Sequence, residues 1–262
     1  MKTKSFRRWI NDASSDRGPI ILALDYTFQQ REILYNRSVE TLKAVSQNIC
    51  GVKINHQLTL PLGLYPRIKE IINIAHALDL PVIMDCKIND IGSTNKEIAK
   101  HYYDAGFDAV IANPFVGWED GLKPVFATAK KRGKGVILLV YMSHRGACEG
   151  YGQKVVDLKK GEELLQYIIF AKKALVWKAD GVIVGATHPD KISEVNRILE
   201  GKIPIYSPGI GVQGGDTKIA LNAGTRFFII GRSIISSKDP AGTTRKIRNL
   251  IDVLQKDKNR LI

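Results

Sequence analysis

The sequence predicts an α/β chain folded as a single (β/α)8 barrel with a short N-terminal extension. Two observations carry this. The 262 residues match the roughly 250 of one such barrel. Eight short apolar runs alternate with helix-compatible segments, which argues for a parallel sheet closed on itself.

Residues 1–17 are polar and read as an extra helix or an arm, ahead of a barrel spanning 18–262. The first strand is Pro19–Asp25, followed by a helix over Arg31–Ile49. Gly51–Asn55 is the second strand, and Leu64–Leu78 its helix. The third strand is Leu80–Asp85, the following helix Ser93–Gly106, stopped by glycine. Ala109–Ala112 is the fourth strand, with a helix over Gly121–Lys131. Gly135–Tyr141 is the fifth, and a polar, glycine-rich loop leads to a helix over Gly161–Trp177. Gly181–Val184 and a helix over Pro189–Leu199 follow. Ile203–Ser207 is the seventh strand, with a short helix near Thr217–Asn222. Arg226–Ile230 is the eighth, and Pro240–Leu254 closes the chain as a helix. An open doubly wound sheet is the competing architecture, but its first turn is rich in glycine, whereas Asp25-Tyr26-Thr27 has none.

Composition narrows the function. No apolar run approaches the ~20 residues of a membrane span, and the charged start has no apolar segment of a secretory signal, so a cytoplasmic protein without membrane contact is expected. Cys50, Cys86 and Cys148 are scattered; without paired spacing they indicate neither zinc nor a disulfide framework. The formal net charge is +13, which suits nucleic acid or a small anionic substrate. The basic residues are dispersed over helical segments, however, and no stretch interleaves them with aromatics. No nucleic-acid partner is expected.

The chemistry concentrates in Asp85-Cys86-Lys87-Ile88-Asn89-Asp90. Along a strand, residues i and i+2 share a face, so Asp85 and Lys87 point one way and Cys86 the other. Asp90 lies past the expected strand end, and alternation does not give its direction. Carboxylates and an ammonium this close keep one another charged. Asp25 and Lys53 also stand at strand ends, on the face where barrels place their active sites. Across from them, Ser207-Pro208-Gly209-Ile210-Gly211-Val212-Gln213-Gly214-Gly215-Asp216 and Gly231-Arg232-Ser233 follow the seventh and eighth strands. Those loops commonly bind phosphate, and Arg232 offers a planar fork to its oxygens.

These motifs, with Leu-Asp-Tyr-Thr at 24–27, Val-Lys-Ile at 52–54, Asp85 through Asn95, and Met-Ser-His at 142–144, together resemble orotidine 5′-phosphate decarboxylases of the short archaeal kind, over about Ile20–Leu254. The resemblance implies a TIM barrel that decarboxylates orotidine 5′-phosphate to UMP without a cofactor or metal. It implies Lys87 as proton donor to C6 and Asp85 against the substrate carboxylate. It implies that Asp25 and Lys53 bind ribose hydroxyls and orient the charged array, and that Ser143 reads the pyrimidine amide. Pro208 and Gln213 would line a closing loop, with Gln213, Gly231 and Arg232 meeting phosphate. A homodimer is implied, in which Asp90, Ile91 and Thr94 reach the neighbouring site. Arg145, Asn55 and the residues before 18 depart from the family pattern, and are expected to affect loop shape more than chemistry. A magnesium-dependent sugar-phosphate decarboxylase or synthase sharing D-x-K-x-x-D is the alternative enzyme. A non-catalytic RNA-binding barrel is the alternative of another class.

Overall fold

The computed structural model describes residues 4–27, 29–156, 161–211 and 214–260. The elements run α1 (Phe6–Arg17), β1 (Ile20–Ala23), α2 (Arg31–Val45), β2 (Gly51–Asn55), α3 (His56–Leu62), α4 (Lys69–Ala77), β3 (Val82–Ile88), α5 (Gly92–Ala105), β4 (Ala109–Ala112), α6 (Lys123–Arg132), β5 (Gly135–Tyr141), α7 (Ala147–Gly150), β6 (Lys154–Val156), β7 (Glu163–Leu165), α8 (Gln166–Trp177), β8 (Gly181–Val184), α9 (Pro189–Leu199), β9 (Ile205–Pro208), α10 (Thr217–Ala223), β10 (Thr225–Ile230), α11 (Arg232–Ile235) and α12 (Pro240–Arg260). Eight strands close a barrel in the order β1-β10-β9-β8-β5-β4-β3-β2, and β6 with β7 forms a separate two-stranded sheet. All eight barrel pairings are parallel.

Alternation along each strand builds two cores. Ile20, Leu22 and Leu24 point outward and join the large cluster under the helices. Ile21, Ala23, Ile83, Ile111, Ile137, Leu139, Ile183 and Ile229 point inward and fill the barrel. With both faces covered, the strands read as unbroken apolar runs.

The N-terminal segment is a helix that plugs the barrel from below. Phe6, Ile10 and Ala13 recur at helical spacing and belong to the inner core. Gly135 makes room for this plug: a Cβ there would sit 2.3 Å from the Phe6 ring. Trp9 Nε1 donates to Asp79 at 2.8 Å, and Arg17 to the Leu78 carbonyl at 2.8 Å.

Three expected boundaries move. The third strand runs to Ile88 rather than ending at Asp85. After the second strand, α3 begins at once, because the Asn55 side chain caps it. The helix expected from Gly161 starts at Gln166, since Glu163–Leu165 pairs with Lys154–Val156 as a hairpin.

Candidate active site

β3 delivers the central groups. Its pairing with β2 is regular to Asn55↔Asp85, but its register with β4 shifts between Met84 and Ile88. Lys87 takes φ +47° within that irregularity, a conformation that costs a non-glycine residue of order 1–3 kcal/mol and is typical of functional sites. Asp85 and Lys87 still meet, with Lys87 Nζ donating to Asp85 Oδ1 at 2.6 Å. Cys86 points away, packs with the outer core and donates its thiol to the Ile111 carbonyl at 3.5 Å. Burial pushes that thiol up to about 12, so it stays neutral.

Lys53 links the array. Its Nζ donates to Asp85 Oδ2 at 2.9 Å and to Asp25 Oδ1 at 3.3 Å, and its side chain is only 6% exposed. Burial alone would push an ammonium towards neutrality; Asp85 and Asp25 outweigh it and hold Lys53 above the ordinary lysine value. Burial likewise opposes charge on Asp85, but Lys53 and Lys87 hold its carboxyl down at about 2. Asp85 is thus a fixed anion between two ammonium groups, stripped of most of its water.

These residues line a cavity of about 200 Å³ at the strand C-terminal ends. Ile111, Leu139, Ile183 and Ile229 lie at its base, and Met142, Ser143, Pro208, Gly209, Ile210, Gly231 and Arg232 border it. The charged wall on β1–β3 therefore faces the loops after β9 and β10 over an apolar floor. Gly231 brings the walls together: a Cβ there would meet Ala23 O at 3.2 Å and Asp25 Oδ2 at 3.4 Å. The loop after β9 folds on itself, with Gly211 N–H donating to the Gly215 carbonyl and Gly215 N–H to that of Gly209, both at 3.0 Å. Gln213 lies outside the described residues.

Asp25, Lys53, Asp85, Lys87, Ser143, Pro208, Gly231 and Arg232 are therefore gathered in one cavity. Asp90, Ile91 and Thr94 are not among its lining residues. Asp90 caps its own loop, its Oδ1 accepting from Ile91 N–H at 2.7 Å. Asn95, fully buried, clips that loop to the Gly121 carbonyl at 3.1 Å and accepts from Asp90 N–H at 3.0 Å. Ile91 is 65% exposed, and Leu60 and Phe115, which follow the neighbouring strands, are 79% and 69% exposed. Together they leave apolar surface at this end of the barrel.

Two supporting residues had no clear signal in the sequence. Gly185 is one: a Cβ there would lie 2.5 Å from Ser143 Cα, so only glycine lets that loop settle. Asn55 is the other. It lines the cavity and donates to Asp25 Oδ1 at 2.8 Å, so it touches the charged wall as well as the start of the following helix. Among the described residues, no group of three or more His, Cys, Asp or Glu side chains is arranged to hold a metal ion, and no helix is long and apolar enough to cross a membrane.

Comparison with known proteins gives a consistent result. The profile described as "Orotidine 5'-phosphate decarboxylase / HUMPS family" matches residues 18–247. The orotidine 5′-phosphate decarboxylase of Pyrococcus furiosus is 35% identical over 228 residues, covering 87% of this chain and 95% of that protein. That of Methanococcoides burtonii is 32% identical over 228 residues, covering 87% and 94%. The crystal structure of orotidine 5′-monophosphate decarboxylase from Methanocaldococcus jannaschii, complexed with inhibitor BMP, superimposes with a TM-score of 0.74 at 30% identity, covering 89% of this chain and 98% of that one.

Proposed function

The chain belongs to the orotidine 5′-phosphate decarboxylase / HUMPS family, and from that premise we propose that it converts orotidine 5′-phosphate to UMP and CO2, in the cytoplasm and without a cofactor. The observation that carries this reading is a buried carboxylate, Asp85, flanked by two ammonium groups and set across an apolar floor from Gly231–Arg232.

In this mechanism the phosphate lies against Arg232, Gly231 and the glycine-rich loop including Pro208 and Gln213. Binding energy from that remote group holds the pyrimidine over the charged wall. Asp25 and Lys53 take the ribose hydroxyls, and Ser143 takes the ring amide. The substrate carboxylate on C6 lies near Asp85. The C6–carboxylate bond breaks heterolytically, CO2 leaves, and the electron pair stays on C6. The Lys87 ammonium stabilises that charge and then gives C6 its proton; the resulting amine regains a proton from solvent. The fixed charges need no reorganisation at the moment of reaction, which is why they are worth more here than in water.

We further propose a homodimer in which Asp90, Ile91 and Thr94 complete the neighbouring site. The exposed Leu60, Ile91 and Phe115 at the same barrel end support this interface.

The test is to incubate the purified protein with orotidine 5′-phosphate, with and without a chelator, and to follow absorbance and identify the nucleotide product. Stoichiometric UMP at an unchanged rate in chelator is expected. A rate abolished by chelator and restored by magnesium would favour the metal-dependent sugar-phosphate enzymes of the same barrel instead.

A further inference from the structure

Asn55 ends β2 and caps α3, and the two duties are coupled through one amide. Its Oδ1 accepts from the Gln57 backbone N–H at 2.9 Å, the N-terminal cap of the helix. With the oxygen committed, the NH2 has to face the other way. It donates to Asp25 Oδ1 at 2.8 Å and to Gln57 Oε1 at 3.2 Å, which uses both of its hydrogens. The helix cap therefore decides which end of the amide meets the carboxylate.

Asp25 Oδ1 accepts a second bond, from Lys53 Nζ at 3.3 Å, longer than the 2.9 Å from the same nitrogen to Asp85 Oδ2. Asp25 Oδ2 has no hydrogen-bond partner among the described residues and lies beside Gly231, on the cavity's other wall. Without the amide, the Asp25 carboxylate is free to turn and to meet Lys53 with either oxygen, so that neither is held open towards the cavity.

Resting on the decarboxylase reading, we propose that Asn55 is a positioning residue: its amide holds Asp25 with one oxygen on the array and the other open to a substrate hydroxyl. It acts through Asp25 and has no donor left for the substrate itself.

Two variants of the full chain test this. Asn55→Ser keeps a good helix cap but is too short to reach Asp25. Asn55→Asp also keeps the cap, and sets a carboxylate oxygen against Asp25 Oδ1. The other charged groups facing this pair are Lys53 on β2, Asp85 and Lys87 on β3, and Arg232 at the start of α11. Each variant is assayed on orotidine 5′-phosphate across pH, beside its thermal midpoint. For Asn55→Ser the expected result is KM raised about tenfold, as for one lost hydrogen bond to a charged group, with kcat within about threefold and the midpoint little changed. For Asn55→Asp, kcat/KM falls about a hundredfold near neutral pH and recovers as pH is lowered, because a proton shared by two facing carboxylates restores the donor. The wild type shows no such recovery. Variants that keep wild-type KM and pH profile, or lose activity only in step with a fallen midpoint, overturn the role of Asn55. A wild type that leaves orotidine 5′-phosphate unchanged overturns the decarboxylase reading instead.

Discussion

Asp85 is held by Lys87 at 2.6 Å and Lys53 at 2.9 Å, and its value of about 2 lies below that of a free carboxylate. A group depressed on folding stabilises the native state fully above its unfolded value, and the effect is lost as pH falls through the folded one. Stability from Asp85 is therefore complete above about pH 4 and declines towards pH 2. Lys53 has the opposite sign: its raised value contributes below the ordinary lysine range and is lost at more alkaline pH. Asp85→Asn is expected to be less stable than wild type at neutral pH, with the gap narrowing between pH 4 and 2 in urea titrations. A gap that stays constant with pH would mean the two lysines do not hold that carboxylate. On the opposite wall, Arg232→Ala should weaken UMP binding by about 2–3 kcal/mol, the range of charge-assisted bonds, or roughly two orders of magnitude in Kd by calorimetry. Much of this was legible. Asp25, Lys53, Asp85 and Arg232 stood at strand ends in the bare sequence, and strand ends are where barrel chemistry lies. Asn55 and Gly185 were not legible, because their roles depend on contacts across strands that no local spacing encodes.

The barrel strands themselves were easy to find, since burial on both faces makes each an apolar run. β3 was cut short because Asp85, Cys86 and Lys87 break that run while the ladder continues to Ile88. Function overrides the hydrophobic pattern at that point. The hairpin β6–β7 has no signal in the sequence for another reason: strands of three residues, half exposed, show no periodicity. The role of α1 was open, because an amphipathic segment does not reveal what it covers. Its Phe6 is 2% exposed inside the barrel. Phe6→Ala is expected to cost about 3–5 kcal/mol, as for other buried aromatics, measured by chemical denaturation. A loss below about 1 kcal/mol would show that the plug collapses freely onto the space left. The catalytic end lies on the opposite side of the barrel, so kcat at a permissive temperature should hold.

For the whole molecule, the charge of +13 fits long-range attraction of a phosphorylated substrate, and its effect should appear as a KM that rises with ionic strength. The proposed dimer makes a sharper demand. If Asp90 serves the neighbouring site, Lys87→Ala and Asp90→Ala are each inactive alone, yet mixing them after reversible dissociation restores activity, because each mixed dimer holds one intact site. Mixtures that stay inactive while exchanging subunits would confine each site to its own chain. The most direct measurement is the absorbance change of orotidine 5′-phosphate with wild type and Lys87→Ala, in chelator, beside UMP binding by both. Removing the proton donor and its charge should slow turnover by more than about 10⁴-fold, with UMP still bound. Near-normal turnover by Lys87→Ala would contradict the mechanism at its centre.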